Sequence, residues 1–305
     1  MNRKTNQIQY RETNKNYSTG FNIYSREWKV QESKGTIFII HGYSEYSGKY
    51  DTIGNYFAEN GYNAFMPDLP SHGRSSNLPG RPKTYIDSME TMKKTVEEYI
   101  SHIKNSILSQ EDEKGRNDLA KPIFVYGHSM GGLISSMLAV KNYHKVDGYI
   151  LSSPGLILNL WYVYTFWYFW YILLFFLPNL VLGSPVESCS NKDTNDNDKK
   201  VVENDPYLFA GRACAKTSFE IAKSGYVERD RDLDVPVLLL HGDADVLVNV
   251  NGSRIKAQHL KNSLSQYIEY PGANHVLLEE KNHMEIIKTI EEWIVKVCKS
   301  KQKEE

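Results

Sequence analysis

The pentapeptide Gly127-His128-Ser129-Met130-Gly131 constrains this chain more than any other feature, because it stands between the apolar run Ile123-Phe124-Val125-Tyr126 and a helical stretch from Gly132 to Tyr143. A serine flanked by glycines at a strand-to-helix junction reads as a tight, strained turn that projects its hydroxyl from the edge of a sheet. The helix that begins there aims free backbone N–H groups at the same point, where negative charge can be received. A serine hydroxyl is a poor nucleophile until a positioned base takes its proton, so partners are expected further along the chain.

On a sheet of this kind the chain order is nucleophile, acid, histidine. Val235-Pro236-Val237-Leu238-Leu239-Leu240 reads as a fully buried parallel strand, and His241-Gly242-Asp243-Ala244-Asp245 follows at its carboxyl end. Either aspartate is placed to serve. Gln266 to Tyr270 reads as a last strand, and the turn Pro271-Gly272-Ala273-Asn274-His275 leaves a histidine at the same edge. His275 is the expected base. His41, His72, His128 and His241 lie beside other strand ends without that position after the acid and are read as structural, and Asp68 as a turn-stabilising carboxylate.

Further strands are expected at Thr36 to Ile40, Asn63 to Met66 and Gly148 to Leu151, with Phe21 to Val30 as an antiparallel edge strand. Helices are expected at Lys49 to Asn60, Tyr85 to Ile107, Gly252 to Leu264 and His283 to Val297. Alternation of this kind implies an α/β architecture, a mostly parallel, doubly wound sheet with helices on both faces. It breaks between about Pro154 and Leu233. Residues 1–153 and 234–305 are therefore read as the two parts of one core and 154–233 as an inserted cap. The polar runs Glu111 to Asp118 and Ser190 to Lys200 read as solvated loops.

His41-Gly42, the loop from Asp68 to His72-Gly73-Arg74-Ser75, GHSMGG around Ser129, HGDAD and GANHVLLEE together resemble the monoacylglycerol lipase and lysophospholipase branch of the serine α/β-hydrolases, within the S33-type hydrolases. The resemblance runs from Tyr24 to Ile294 and includes Leu177 to Gly183 and Asn204-Asp205-Pro206 in the cap. It implies the α/β-hydrolase fold and assigns the acid to Asp245, the base to His275, and the oxyanion donors to the backbone N–H groups of Tyr43 and Met130. It also places Glu45 and Lys49 where related enzymes hold a glycerol head. A histidine typical of that glycerol site, three residues after the catalytic one, is replaced here by Leu278. Losing that polar contact adds weight to lysophospholipid or broad ester hydrolysis.

Leu160 to Leu177, LWYVYTFWYFWYILLFFL, carries no charge and is long enough to count as a membrane span by length alone. One crossing would put Ser129 on the opposite side of a bilayer from Asp245 and His275, and two crossings need about twice the length. The run is instead expected to be a cap element, partly buried and partly offered to lipid, with Trp161, Trp167 and Trp170 suited to the bilayer interface. Peripheral membrane contact through residues 160–177 follows.

A chain of 305 residues can bury a large core, and a net charge of −1 gives no reason to expect nucleic acid as a partner. Cys189, Cys214 and Cys298 are odd in number and lack CxxC spacing, which fits reduced thiols in a cytoplasmic protein. No cluster has metal-ligand spacing and no glycine-rich loop is built for phosphate, so neither metal nor cofactor is expected. The expected activity is that of a serine esterase on lipids with a single acyl chain, proceeding through an acyl-enzyme, with broad carboxylesterase activity. An amidase or aminopeptidase on the same fold would need a cap carboxylate such as Glu187, Glu203 or Asp205 to bind an amine. A reading of another class is an inactive protein that holds lipid under the cap.

Overall fold

The computed structural model describes residues 7–112, 121–177, 179–185, 205–209 and 211–302. An eight-stranded sheet runs in the order β1 (Ile8–Asn16), β2 (Asn22–Val30), β4 (Tyr62–Pro67), β3 (Gly35–Ile40), β5 (Ile123–His128), β6 (Gly148–Ser152), β9 (Val237–Gly242), β10 (Gln266–Tyr270). From β4 to β10 every pairing is parallel; β1–β2 and β2–β4 are antiparallel. The central strands are apolar throughout because both their faces are covered. Phe38, Ile40, Val125, Val237 and Leu239 point to one side, where they meet α2 (Met89–Asp112) and α3 (Met130–Ala139). Ile37, Ile39, Phe124, Leu238 and Leu240 point to the other, against α1 (Asp51–Glu59) and the carboxyl-terminal helix His283–Lys301. This is the doubly wound sheet of the α/β-hydrolase fold.

The amino-terminal strands correct one expectation. The Phe21 to Val30 segment is antiparallel, but it is not the edge, because β1 covers it along nine residue pairs from Ile8↔Val30 to Asn16↔Asn22. β1 has almost no buried side chain, so no apolar alternation announces it. Its backbone ladder, the Arg11 and Thr13 hydrogen bonds to buried Glu27, and the Tyr10 ring on Trp28 hold it instead. The Tyr85 to Ile107 helix begins later, at Met89, and continues to Asp112, so the first two residues of the polar run at Glu111 are helical. The rest of that run, together with Glu187, Cys189, the run Ser190 to Lys200 and Glu203, lies outside the described residues.

After β6 the chain leaves the sheet. The Leu160 to Leu177 run forms two short helices, α4 (Trp161–Thr165) and α5 (Trp167–Phe176), broken at Phe166. Among the described residues no helix is long and apolar enough to cross a membrane. β7 (Val181–Pro185) pairs with β8 (Arg212–Cys214), and α6 (Ala215–Glu228) returns the chain to the core. Val163, Leu174, Phe219 and Ala222 form a small apolar cluster between α4, α5 and α6. Trp167 faces that cluster, its ring 4.8 Å from Phe219. The outward face of α5 is nonetheless apolar, with Tyr168 85% and Phe175 80% exposed, and Tyr171, Ile172 and Phe176 beside them. Cys214 and Cys298 are free thiols.

Candidate active site

Ser129 sits between the last residue of β5 and the first of α3 with φ 53° and ψ −115°, a conformation that costs a non-glycine residue on the order of 1–3 kcal/mol. Backbone bonds hold it there: its N–H donates to Ser152 O at 2.9 Å, and its carbonyl accepts from Leu133 N and Gly155 N. Glycine at 131 is a matter of space. A Cβ there would stand 2.1 Å from Ile40 O and 2.6 Å from His41 O, backbone atoms that cannot give way without opening β3 from α3. The same closeness presses the His41-Gly42 loop onto Ser129, since a Cβ on Gly42 would lie 3.2 Å from Ser129 Cβ.

His275 and Asp245 reach Ser129 from the ends of β10 and β9. The Ser129 hydroxyl donates to His275 Nε2 at 2.9 Å, and His275 Nδ1 donates to Asp245 Oδ2 at 2.6 Å. The other carboxylate oxygen of Asp245 accepts from Leu247 N and Val248 N at 2.8 and 2.9 Å. Burial favours the neutral acid, but hydrogen bonds from His241 and His275, the attraction of His275 and the backbone donors hold Asp245 well below the usual carboxylate range. Asp243, open as an alternative from the sequence, is turned away and accepts from Gly272 N at 2.6 Å. Met130 N lies in the first turn of α3, whose N–H groups have no acceptor within the helix.

Tyr43 follows Gly42 in the loop after β3, its hydroxyl 2.9 Å from Thr84 Oγ1. Glu45 is buried in this loop. Its Oε2 accepts from Gly42 N at 2.8 Å and from Tyr50 O–H at 2.6 Å, and its Oε1 accepts from Lys49 Nζ at 3.2 Å. Against the cost of burial, Lys49, His128 and these bonds keep the Glu45 carboxyl far below its ordinary range. Lys49 also pairs with Glu279 at 2.9 Å, and burial notwithstanding the two acids raise its ammonium above the usual lysine range. Leu278, beside Glu279, packs with the cluster under the carboxyl-terminal helix. Residues Asp205 to Phe209 dock on these loops: Phe209 N donates to Ser44 O at 3.1 Å and Tyr46 O–H to Asp205 at 2.7 Å.

Of the histidines read as structural, His41 accepts from Leu69 N at 2.8 Å and His72 lies 2.8 Å from Pro70 O. His128 is pushed down to about 3 chiefly by burial, so the ring packed 4.8 Å from His275 stays neutral. Asp68 accepts from Ser47 N and Arg74 N and pins its turn. His241 differs: its Nε2 lies 3.0 Å from Asp245 Oδ2. The sequence marked it only as a residue at a strand end. Among the described residues no group of three or more His, Cys, Asp or Glu side chains could hold a metal ion.

A strained serine on a strand–helix turn, relayed through histidine to aspartate at the carboxyl edge of a parallel sheet, defines a serine hydrolase of the α/β-hydrolase fold. The family model described as serine aminopeptidase, S33, matches residues 31–282. The chain belongs to that family. It is similar to human monoglyceride lipase, with 29% identity over 85% of this chain and 81% of that protein. It is also similar to caffeoylshikimate esterase of Arabidopsis thaliana, with 27% identity over 86% of this chain and 78% of that protein. The crystal structure of the Paleococcus ferrophilus monoacylglycerol lipase superposes with a TM-score of 0.70 at 25% identity, covering 90% of this chain and 99% of that one.

Proposed function

We propose that this chain hydrolyses esters of single-acyl lipids, monoacylglycerol first among them, through an acyl-enzyme on Ser129. The unbroken hydrogen-bond chain from Ser129 through His275 to Asp245 carries this reading. Ser129 attacks the ester carbonyl as its proton passes to His275 Nε2, and the N–H groups of Tyr43 and Met130 receive the oxyanion. Collapse of that intermediate expels the alcohol, which takes the proton from His275. Water activated by the same imidazole then releases the fatty acid. Glu45 holds the loop that carries Tyr43.

Lys49 and its two acids decide the head group. One ammonium between Glu45 and Glu279 leaves this corner of the site with a net negative charge, which favours a neutral polyol over a phosphate. Monoacylglycerol is therefore expected to turn over faster than lysophosphatidylcholine, short p-nitrophenyl ester or aminoacyl amide in one matched panel, with Ser129→Ala as the blank. Faster lysophosphatidylcholine turnover would remove the head-group assignment.

In this reading residues 154–233 form the cap, and the outward face of α5 rests on the lipid that supplies substrate. A helix apolar on its solvent side is unusual without a partner surface. The outward residues Tyr168 and Phe175, rather than the inward Trp167, carry the contact. Replacing both by serine is expected to weaken flotation with phosphatidylcholine vesicles more than tenfold, two rings being worth about 3 kcal/mol or more, while the melting temperature barely moves. Unchanged flotation would rule the contact out.

A further inference from the structure

His241 is the fifth residue of β9, and its side chain is fully buried. Its Nε2 lies 3.0 Å from Asp245 Oδ2 and 3.3 Å from Val248 O, and its Nδ1 lies 2.6 Å from Ser253 Oγ. A carboxylate and a carbonyl only accept, so a proton belongs on Nε2, and in the singly protonated ring Nδ1 accepts the Ser253 hydroxyl. Asp245 Oδ2 thus receives two imidazole N–H donors, one from His275 and one from His241, in a pocket closed to water.

We propose that His241 is a positioning residue of the proton relay, holding Asp245 Oδ2 toward His275 and drawing off part of its charge, with Ser253 fixing the His241 tautomer. The inference rests on the Ser129–His275–Asp245 reading. A carboxylate that loses one of two donors on the same oxygen presents more charge to the other, so the imidazolium of His275 becomes easier to form. The base is then protonated at a higher pH, and Asp245, still anchored through Oδ1 by Leu247 N and Val248 N, aims its other oxygen less closely at His275. Other charged or titratable groups face this cluster from each neighbouring element. Glu269 stands opposite His241 in the β9–β10 register and is bound by Arg254 at 2.6 Å. His128 of β5 packs on His275, and Glu45 with Lys49 lies behind it. Hydrogen bonds from Arg254 and Tyr267 are the main hold on the Glu269 carboxyl and His241 adds a smaller pull, so a change at 241 perturbs Glu269 only slightly.

The test is the pH dependence of the second-order rate at which a fluorophosphonate probe labels Ser129 in the full chain, alongside the melting temperature. In His241→Leu the rate is expected to fall about tenfold. Its acid limb should move up by roughly half a pH unit. His241→Gln, whose amide N–H reaches the same oxygen, should recover most of the rate and the original limb. Ser253→Ala should shift the limb in the same direction by less, and it decides the matter if His241→Leu does not fold. A wild-type limb in a folded His241→Leu, or in Ser253→Ala when that variant is the one that folds, would overturn the proposal. So would a His241→Gln as impaired as His241→Leu, which would indicate packing alone. A wild-type chain that the probe never labels would overturn the relay itself, and with it this inference.

Discussion

Replacing Asp245 by asparagine is expected to lower kcat by about 10⁴-fold while leaving the fold in place. The reason lies in what surrounds the carboxylate. One oxygen meets the backbone N–H groups of Leu247 and Val248, and the other meets the ring N–H groups of His275 and His241. An asparagine amide has one oxygen for these two pairs, so its NH₂ must face donors on one side. Backbone amides cannot change what they present, whereas a histidine can exchange tautomers. The NH₂ therefore settles opposite the histidines, and His275 moves its proton to Nε2. That nitrogen now donates to Ser129 instead of accepting from it, and the hydroxyl has no base. Steady-state kinetics with any ester that the wild type turns over, together with a thermal melt, checks this. A loss of less than tenfold would mean that Asp245 does not set the tautomer.

Ser129→Ala is expected to have a larger effect still, about 10⁵-fold to 10⁶-fold in kcat. The N–H groups of Tyr43 and Met130 proposed for the oxyanion, the histidine and the aspartate all remain, but no covalent intermediate can form. Labelling by a fluorophosphonate, strong in the wild type, should vanish in this variant. The melting temperature should stay within a few degrees, because the turn at 129 is held by backbone bonds that alanine keeps. An inactive protein that merely stores lipid under its cap makes the opposite prediction, with no labelling of a folded wild type.

Much of this arrangement is legible in the amino-acid sequence. The strands that carry the site are short apolar runs bounded by glycine, proline and acidic turns, and periodicity and turn chemistry are local properties. Ser129 was legible for the same reason, since the glycines that flank it are needed where Gly131 touches the backbone of Ile40 and His41. β1 was not, because its side chains stay in solvent and it is held by a ladder with β2, which leaves no mark on the pattern of its own residues. Leu160 to Leu177 was legible as apolar and not as two helices, because the break at Phe166 lets Trp167 and Leu174 pack on α6.

By itself the sequence determined a doubly wound sheet, a serine on a strained turn, a histidine at the last strand and an uncharged aromatic run. Strand pattern alone left two nearby aspartates open and the resemblance chose Asp245; the tertiary structure turns that carboxylate to His275, and it alone decided that His241 shares its oxygen and that Lys49 is spent between two acids. The first set depends on neighbours along the chain. The second depends on hydrogen-bond directions between separate loops, where a rotation of one residue turns Asp243 to Gly272 and Asp245 to the histidines. Such directions are set by the packing of strand ends, with Ser129 and His275 meeting across 146 positions of chain.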